Sequence, residues 1–116
     1  MSETDCLFCK ILAGTAAADV VYQDNRCVVI RDVKPQAPTH VLVVPKKHVA
    51  SLDELVSEQA ELAGRLFLAA QEVVRRKLKL PGGWRCVVNT GSEAGQTVLH
   101  VHLHVLAGRA FSWPPG

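Results

Sequence analysis

Aromatic side chains are scarce in this sequence: phenylalanine, tryptophan and tyrosine together make up 5% of its 116 residues. Proteins that bind single-stranded nucleic acid stack the bases on such side chains, so the scarcity argues against that class. A strong excess of positive charge is missing too, because 13 Lys and Arg against 11 Asp and Glu leave a net charge of +2. Electrostatic binding of nucleic acid is therefore excluded as the main function.

Long hydrophobic runs are also absent. The longest uncharged stretch, 94–108, contains three histidines and is shorter than a bilayer-spanning helix. The chain starts with the acidic segment MSETDC, and no apolar run of the kind found in secretory signals follows it. We therefore expect a cytoplasmic protein without membrane contacts, in which the four cysteines are thiols or metal ligands rather than disulfides.

The composition that remains, 48% hydrophobic and 21% charged, is typical of one globular domain, here 1–116. The box Ser51-Leu-Asp-Glu54 predicts the start of a long helix, and Pro81-Gly82-Gly83 predicts its end. Apolar and β-branched runs predict a short helix over 6–12 and strands over 20–23, 26–31, 40–45, 84–89 and 97–106. This order favours an α+β fold: a five-stranded, largely antiparallel sheet with one long helix and a short N-terminal helix.

The last predicted strand carries three of the five histidines. Because side chains alternate between the faces of a strand, His100, His102 and His104 should share one face. Leu99, Val101, Leu103 and Val105 should then point into the core. Three imidazoles in a row are costly as mere filler, since each buried ring nitrogen needs a partner.

Three interpretations of this histidine face remain open: a chance polar face, a three-histidine zinc site, and nucleophilic catalysis by the central imidazole. The surroundings favour a phosphate rather than a metal at His102, since acidic ligands are nearly missing and Glu93 is the only one nearby. Backbone N–H groups, side-chain amides and one hydroxyl that suit a phosphate precede the strand, at Asn89, Gly91, Gly95, Gln96 and Thr97.

Four separated motifs occur in a fixed order along the chain: PQAPTH at 35–40, VPKKH at 44–48, GQTVLHVHLHVLAGR at 95–109 and WPPG at 113–116. Together they resemble the histidine triad (HIT) family of nucleotide hydrolases and transferases. The first, second and last look like its Hint branch, the purine nucleoside phosphoramidases. The resemblance extends from about Cys6 to Gly116 and implies a HIT-like fold.

The resemblance also implies a reaction, cleavage of the P–N bond of purine nucleoside 5′-phosphoramidates such as AMP linked to an amine. His102 would attack the α-phosphorus and carry a nucleotidyl-histidine intermediate, and His104 would contact the phosphate. His40 would support the triad as a buried partner. Thr97 would help to protonate the leaving amine, at a position where Hint members often carry serine. The implied nucleotide-binding residues are Leu7, Phe8, Ile11, Ile30, Asp32 (for the ribose), Val33, Asn89, Gly95, Gln96, Thr97, His102 and His104.

A second cluster begins with Cys6-Leu-Phe-Cys9, which is compatible with a redox disulfide, two unrelated buried thiols or a zinc site. A thioredoxin-like redox site needs a preceding strand, for which five residues leave little room. Two cysteines, a distal histidine and the first histidine of the triad resemble the zinc ligands of bacterial-type members of the family and of related uridylyltransferases. That resemblance implies a structural Zn²⁺ held by Cys6, Cys9, His48 and His100, which braces the strand of His102 and takes no part in the chemistry.

The resemblance further implies a homodimer that pairs through the long helix and a central strand, with the tail 109–116 reaching toward the partner's site. Two other functions remain open beside phosphoramidate hydrolysis. One is cleavage of dinucleoside polyphosphates, as in the Fhit branch of the family. The other is regulation by nucleotide binding with only residual hydrolysis.

Overall fold

The computed structural model describes residues 5–116, and the acidic start, 1–4, lies outside them. An antiparallel sheet is formed by strands between Val20 and Ala107. Within this range the sheet has five strands in the order β1-β2-β3-β5-β4. The predicted α+β fold, with a five-stranded antiparallel sheet, one long helix and a short N-terminal helix, is confirmed. No helix within 5–116 has the length and apolar character needed to cross a bilayer. The elements are α1 (Leu7–Leu12), β1 (Val20–Gln23), β2 (Cys27–Arg31), β3 (Thr39–Pro45), α2 (Ala60–Glu72, continued by a π-helical segment, Val73–Lys77), β4 (Trp84–Val87) and β5 (Leu103–Ala107).

The two helices cover opposite faces of this sheet. Alternate residues of the central strands pack toward α2, among them Val29, Val41 and Leu103. The residues between them, such as Ile30 and Leu42, pack on the other face together with α1. Since both faces are covered, β2 and β3 read as continuous apolar runs.

The long helix begins later than the capping box predicts. The Ser51 hydroxyl does accept a hydrogen bond from the Asp53 amide, at 3.2 Å, but it caps only a short 3₁₀ turn, Leu52–Glu54. Leu55 then adopts an extended backbone and packs against the cluster of Val49, Leu62 and Val101. A second 3₁₀ turn follows before α2 starts at Ala60. The predicted start was therefore wrong, because burying Leu55 breaks the helix between the box and α2.

The histidine strand is shorter than its alternation predicts, since β5 begins at Leu103 rather than at position 97. Its neighbour β3 ends at Pro45, which has no amide hydrogen to extend the ladder. The amide of Val101 instead donates to the carbonyl of Val49, at 2.7 Å. In consequence Leu99, predicted to point into the core, is 37% exposed, whereas Val101, Leu103 and Val105 are buried as predicted. The other bounds shift less: β2 starts at Cys27 instead of 26, and β4 ends at Val87 instead of 89.

Gly108, directly after β5, is the glycine at which a side chain would be least tolerated. Its φ is +95°, and an added Cβ would lie 2.9 Å from the Cβ of Pro38. We expect Gly108→Ala to lower the free energy of unfolding by about 2 kcal/mol or more, because it combines backbone strain with a clash. Urea denaturation measures this, and Gly82→Ala, where no atom lies within 4 Å, is the matched control. Equal stability of the two variants would contradict the prediction.

Candidate functional site

The sheet face that is covered by α1 carries a pair of histidines on neighbouring strands. Leu42 of β3 lies directly opposite His104 of β5, and His40 is two residues before Leu42. Residues that are diagonal across an antiparallel pair share a face and come within reach of each other. His40 Nε2 accordingly lies 2.9 Å from His104 Nδ1. Two of the predicted catalytic residues are thus placed in direct contact.

Hydrogen bonds assign the protons on this pair. The amide of Gln36 donates to His40 Nδ1 at 3.0 Å, so the His40 proton is on Nε2. That N–H points at His104 Nδ1 and is also 3.3 Å from Asp32 Oδ2. His104 therefore accepts at Nδ1 and carries its own proton on Nε2, ready to donate to a ligand.

His102 has the opposite assignment. Its Nδ1 lies 2.8 Å from the carbonyl oxygen of His100, and since a carbonyl can only accept, Nδ1 carries the proton. Nε2 then holds the lone pair that a nucleophile needs. The side chain is buried, and its ring centroid lies 5.0 Å from that of His104.

Burial keeps these imidazoles uncharged. It lowers the pKa of His102, against the hydrogen bond to the His100 carbonyl and the attraction of Asp32, and it lowers the pKa of His40 against the attraction of Asp32. For His104, burial together with the nearby His102 and His40 lowers the pKa to about 4. All three rings are therefore neutral near pH 7, which is the form in which an imidazole acts as a nucleophile.

A pocket of about 690 Å³ opens above this face, a volume within the range of small-molecule sites. Of the predicted nucleotide-binding residues, all except Gln96 line it: Leu7, Phe8, Ile11, Ile30, Asp32, Val33, Asn89, Gly95, Thr97, His102 and His104. Their exposure differs widely, from Phe8, which is 3% exposed, to Val33 at 93%.

Gln96 contacts the backbone instead of the pocket. Its side-chain amide donates to the carbonyls of Ala50, at 2.7 Å, and Val98, at 3.1 Å, while its oxygen accepts from the Gly91 amide. Both ends of the side chain therefore hold the loop that precedes the histidines. A role in binding phosphate directly, as the resemblance implies, would require these bonds to break.

Six residues that the sequence did not indicate also line the pocket. Leu42 could have been found, because pairing β3 with β5 puts it beside His104. Arg31, at the end of β2, forms an ion pair with Asp19 in the loop before β1, with 3.3 Å between Nε and Oδ2. No sequence pattern indicates this pair. The six are Ala17, Ala18, Asp19, Arg31, Leu42 and Val98.

The four predicted zinc ligands converge into one cluster, with their ligand atoms all within 4.8 Å of one another. A tetrahedral Zn²⁺ would separate two nitrogens by about 3.3 Å and a nitrogen and a sulfur by about 3.6 Å. Nδ1 of His48 lies 3.2 Å from Nδ1 of His100 and 3.2 Å from Sγ of Cys9. Nδ1 of His100 lies 3.3 Å from Sγ of Cys6 and 3.6 Å from Sγ of Cys9. The cluster therefore fits such an ion.

The backbone also presents the correct nitrogen of His100 to this cluster. His100 Nε2 donates to the carbonyl oxygen of Pro45, at 2.8 Å, so its lone pair is on Nδ1. A second partner of this kind is typical of metal-binding histidines, because it fixes the tautomer and the orientation of the ring.

The low pKa of His104 makes stability depend on pH. Its pKa falls from the ordinary 6.5 to about 4 in the fold, so between these pH values the unfolded chain binds a proton that the folded chain does not. The free energy of unfolding therefore falls as the pH drops, by about 2 kcal/mol from this residue at pH 5. His104→Asn should flatten the curve by that amount in urea denaturation at pH 7.5 and 5. Parallel curves for the two proteins would contradict this.

Comparisons with known proteins agree on one family. The family model described as HIT domain matches residues 13–111. An uncharacterized HIT-like protein of Synechococcus elongatus is 47% identical over 116 residues, which is all of both chains. A HIT family hydrolase from Legionella pneumophila has a similar structure, with a TM-score of 0.92, 42% identity and coverage of 97% of this chain and 100% of the other.

A third relative bears on the cysteine cluster. The crystal structure of a zinc-bound histidine triad family protein from Mycobacterium smegmatis superimposes with a TM-score of 0.82 and 32% identity. The match covers 93% of this chain and 78% of the other.

Proposed function

The chain belongs to the HIT family and is similar to its hydrolases, and we propose that it hydrolyses the P–N bond of purine nucleoside 5′-phosphoramidates. The observation that carries this proposal is the state of His102. Its Nδ1 is tied to the carbonyl of His100, its Nε2 is unprotonated, and the neutral ring lines a pocket of nucleotide size.

The first step forms a covalent intermediate. Nε2 of His102 attacks the α-phosphorus, a P–N bond forms to the imidazole, and the P–N bond to the amine breaks. The departing nitrogen takes up one proton, passed on by the hydroxyl of Thr97, which is exposed to solvent. Nε2–H of His104 donates to a phosphoryl oxygen as the charge on it grows.

The second step returns the enzyme to its starting state. A water molecule attacks the phosphorus of the nucleotidyl-histidine, a P–O bond forms, and the bond to His102 Nε2 breaks. The proton lost by the water goes to solvent, and the nucleoside monophosphate leaves. His102 recovers its lone pair on Nε2, since Nδ1–H remains bonded to the carbonyl of His100.

The remainder of the pocket supports a purine nucleoside. Leu7, Ile11 and Ile30 give it an apolar side that suits a base. Asp32 lines the same pocket beside His40, where its carboxylate can accept from ribose hydroxyls.

The proposal includes a structural zinc ion at Cys6, Cys9, His48 and His100, on the geometry of that cluster and the zinc-bound relative. The ion would be closed off by four protein ligands and would stabilise the fold without touching substrate. It also includes a cytoplasmic location, where the two thiols stay reduced and available to the metal.

A homodimer is part of the same proposal. Phe67 and Leu68 of α2 are 53% and 55% exposed, and Trp84 is 37% exposed on the edge strand β4. A second copy of the chain that covered this helix face and paired with β4 would bury the exposed apolar side chains and satisfy the unpaired backbone groups of the edge strand. Arg85 of β4 holds the tail, since its guanidinium lies 5.1 Å from the ring centroid of Phe111 and donates to the carbonyl of Ser112 at 3.0 Å. Trp113 is left 83% exposed, where it can contact the partner.

Hydrolysis assays on the purified protein test this function. We expect adenosine 5′-phosphoramidate to be converted to AMP and ammonia much faster than diadenosine triphosphate is cleaved. Faster cleavage of the polyphosphate would assign the chain to the second reaction. Tight AMP binding without turnover of either compound would instead indicate a nucleotide-binding regulator.

A further inference from the structure

Helix α1 belongs to two sites at once. Cys6, its N-cap, and Cys9, in its first turn, supply half of the metal cluster. Three other residues of the same helix, Leu7, Phe8 and Ile11, line the nucleotide pocket. A helix of six residues has little stability of its own. The contacts that anchor α1 therefore also determine the position of its side chains that line the pocket.

Phe8 is the residue of α1 that joins the two sites. Its ring is 3% exposed and lies edge-on to both His100, a member of the metal cluster, and His102. The centroid distances are 5.7 Å to His100, at an interplanar angle of 84°, and 5.0 Å to His102, at 75°. Edge-to-face pairs of this kind are favourable and directional.

The orientation of the His102 ring is set by directional contacts. Among them are the hydrogen bond from Nδ1–H to the carbonyl of His100 and the contacts with the rings of Phe8 and His104. This hydrogen bond fixes which nitrogen is protonated only while the ring keeps its orientation, and rotation about a side-chain single bond would break it unless something blocks the faces and edges of the ring. Phe8 supplies that block from the side of the metal cluster.

We infer that Phe8 is a positioning residue that holds the His102 imidazole against the sheet and couples it to the Cys6, Cys9, His48 and His100 cluster. This deepens the proposed function, on which it rests, and it differs from a role in which Phe8 merely contacts the base. Loss of the metal would loosen α1, move the Phe8 ring and disturb the nucleophile before it disturbs the rest of the pocket.

The two roles of Phe8 predict opposite kinetics. A residue that only contacts the base contributes equally to substrate and transition-state binding, so its removal raises KM and leaves kcat alone. A residue that positions the nucleophile affects the reaction itself, and a small misplacement of reacting atoms costs about 10- to 100-fold in rate. Phe8→Leu keeps an apolar side chain in the pocket but removes the aromatic ring.

We therefore expect Phe8→Leu to lower kcat for adenosine 5′-phosphoramidate about 10- to 100-fold. The dissociation constant for AMP, measured by calorimetry, should stay within about threefold of wild type, because the apolar surface remains. Zinc should leave the variant faster when a chromogenic chelator is added to the zinc-loaded protein, since His100 also loses its contact with the ring. Raised KM with unchanged kcat and an unchanged zinc release rate would overturn the inference.

A readout without turnover separates this inference from the proposed function. In ¹⁵N NMR spectra the wild-type His102 ring should be protonated at Nδ1 alone, and Phe8→Leu should shift it to a mixture of tautomers. That result stands even if the protein does not hydrolyse phosphoramidates. A single Nδ1–H tautomer in both proteins would contradict the positioning role.

Leu7→Ala is the matched control on the same helix, because Leu7 lines the pocket and is 47% exposed. It should weaken AMP binding but leave the zinc release rate and the His102 tautomer as in wild type. If Phe8→Leu does not fold, Phe8→Met, whose flexible side chain fills irregular space, allows the same measurements.

Discussion

Replacing His102 with alanine is expected to reduce turnover of adenosine 5′-phosphoramidate by at least about 10³-fold. The substitution removes the only imidazole of the site that combines an unprotonated Nε2 with a proton fixed on Nδ1. His104 cannot replace it, because its Nδ1 accepts from His40 and its proton is on Nε2. Initial rates with saturating substrate measure the loss.

The control for this variant is binding rather than turnover. His102→Ala leaves Asp32 and the apolar side of the pocket intact, so AMP should bind within about tenfold of its wild-type affinity. Circular dichroism and a melting curve show whether the variant is folded. A folded variant that binds AMP and still hydrolyses the phosphoramidate at more than a tenth of the wild-type rate would mean that another group is the nucleophile.

Replacing Cys6 with serine is expected to have the largest effect on stability. Wild-type protein should contain about one zinc ion per chain, and Cys6→Ser should contain nearly none, because a buried hydroxyl is a poor zinc ligand. If wild-type protein is studied with free zinc about a thousandfold above its dissociation constant, the loss should lower the free energy of unfolding by about 4 kcal/mol. Elemental analysis and urea denaturation measure the two effects.

Cys86→Ser is the matched control for a lost thiol. Cys86 is half-buried in β4, outside the metal cluster, and burial raises its thiol pKa to about 11. Zinc content should therefore be unchanged in this variant. Equal zinc content in Cys6→Ser and wild type would show that the cluster does not hold the ion.

Local chemistry made some elements predictable from sequence. Asp24 and Asn25 separate two β-branched runs, and in the structure Asp24 Oδ1 accepts from the amides of Arg26 and Cys27, both at 2.8 Å. A turn closed by one side chain depends on its own few residues. The bounds of β1 accordingly match the prediction, and those of β2 differ by one residue.

Contacts between distant segments caused the errors. Leu99 was assigned to the core by alternation, but β5 does not reach it because Pro45 and Val49, some fifty residues away, end the pairing. Helix α2 begins later than predicted for a similar reason, because Leu55 packs beside Val101. Pattern reasoning has no access to such partners until the chain is folded.

The candidate site, too, was predictable from local sequence only in part. Alternation put His100, His102 and His104 on one face, but it could not tell that His100 turns to the cysteines while His104 turns to His40. Those assignments came from the family resemblance. The side-chain bonds of Gln96 to Ala50 and Val98 were foreseen by neither, since they depend on the path of a glycine-rich loop.

The covalent intermediate on His102 is the central claim, and rapid quenching of enzyme mixed with excess adenosine 5′-phosphoramidate in an alkaline denaturant, which preserves a P–N bond to histidine, tests it most directly. Mass spectrometry of the quenched wild-type protein should show a fraction that is heavier by one adenylyl group, located by peptide mapping on His102 and absent from His102→Ala. Turnover without any adenylylated protein, or an adenylyl group on another residue, would contradict the account.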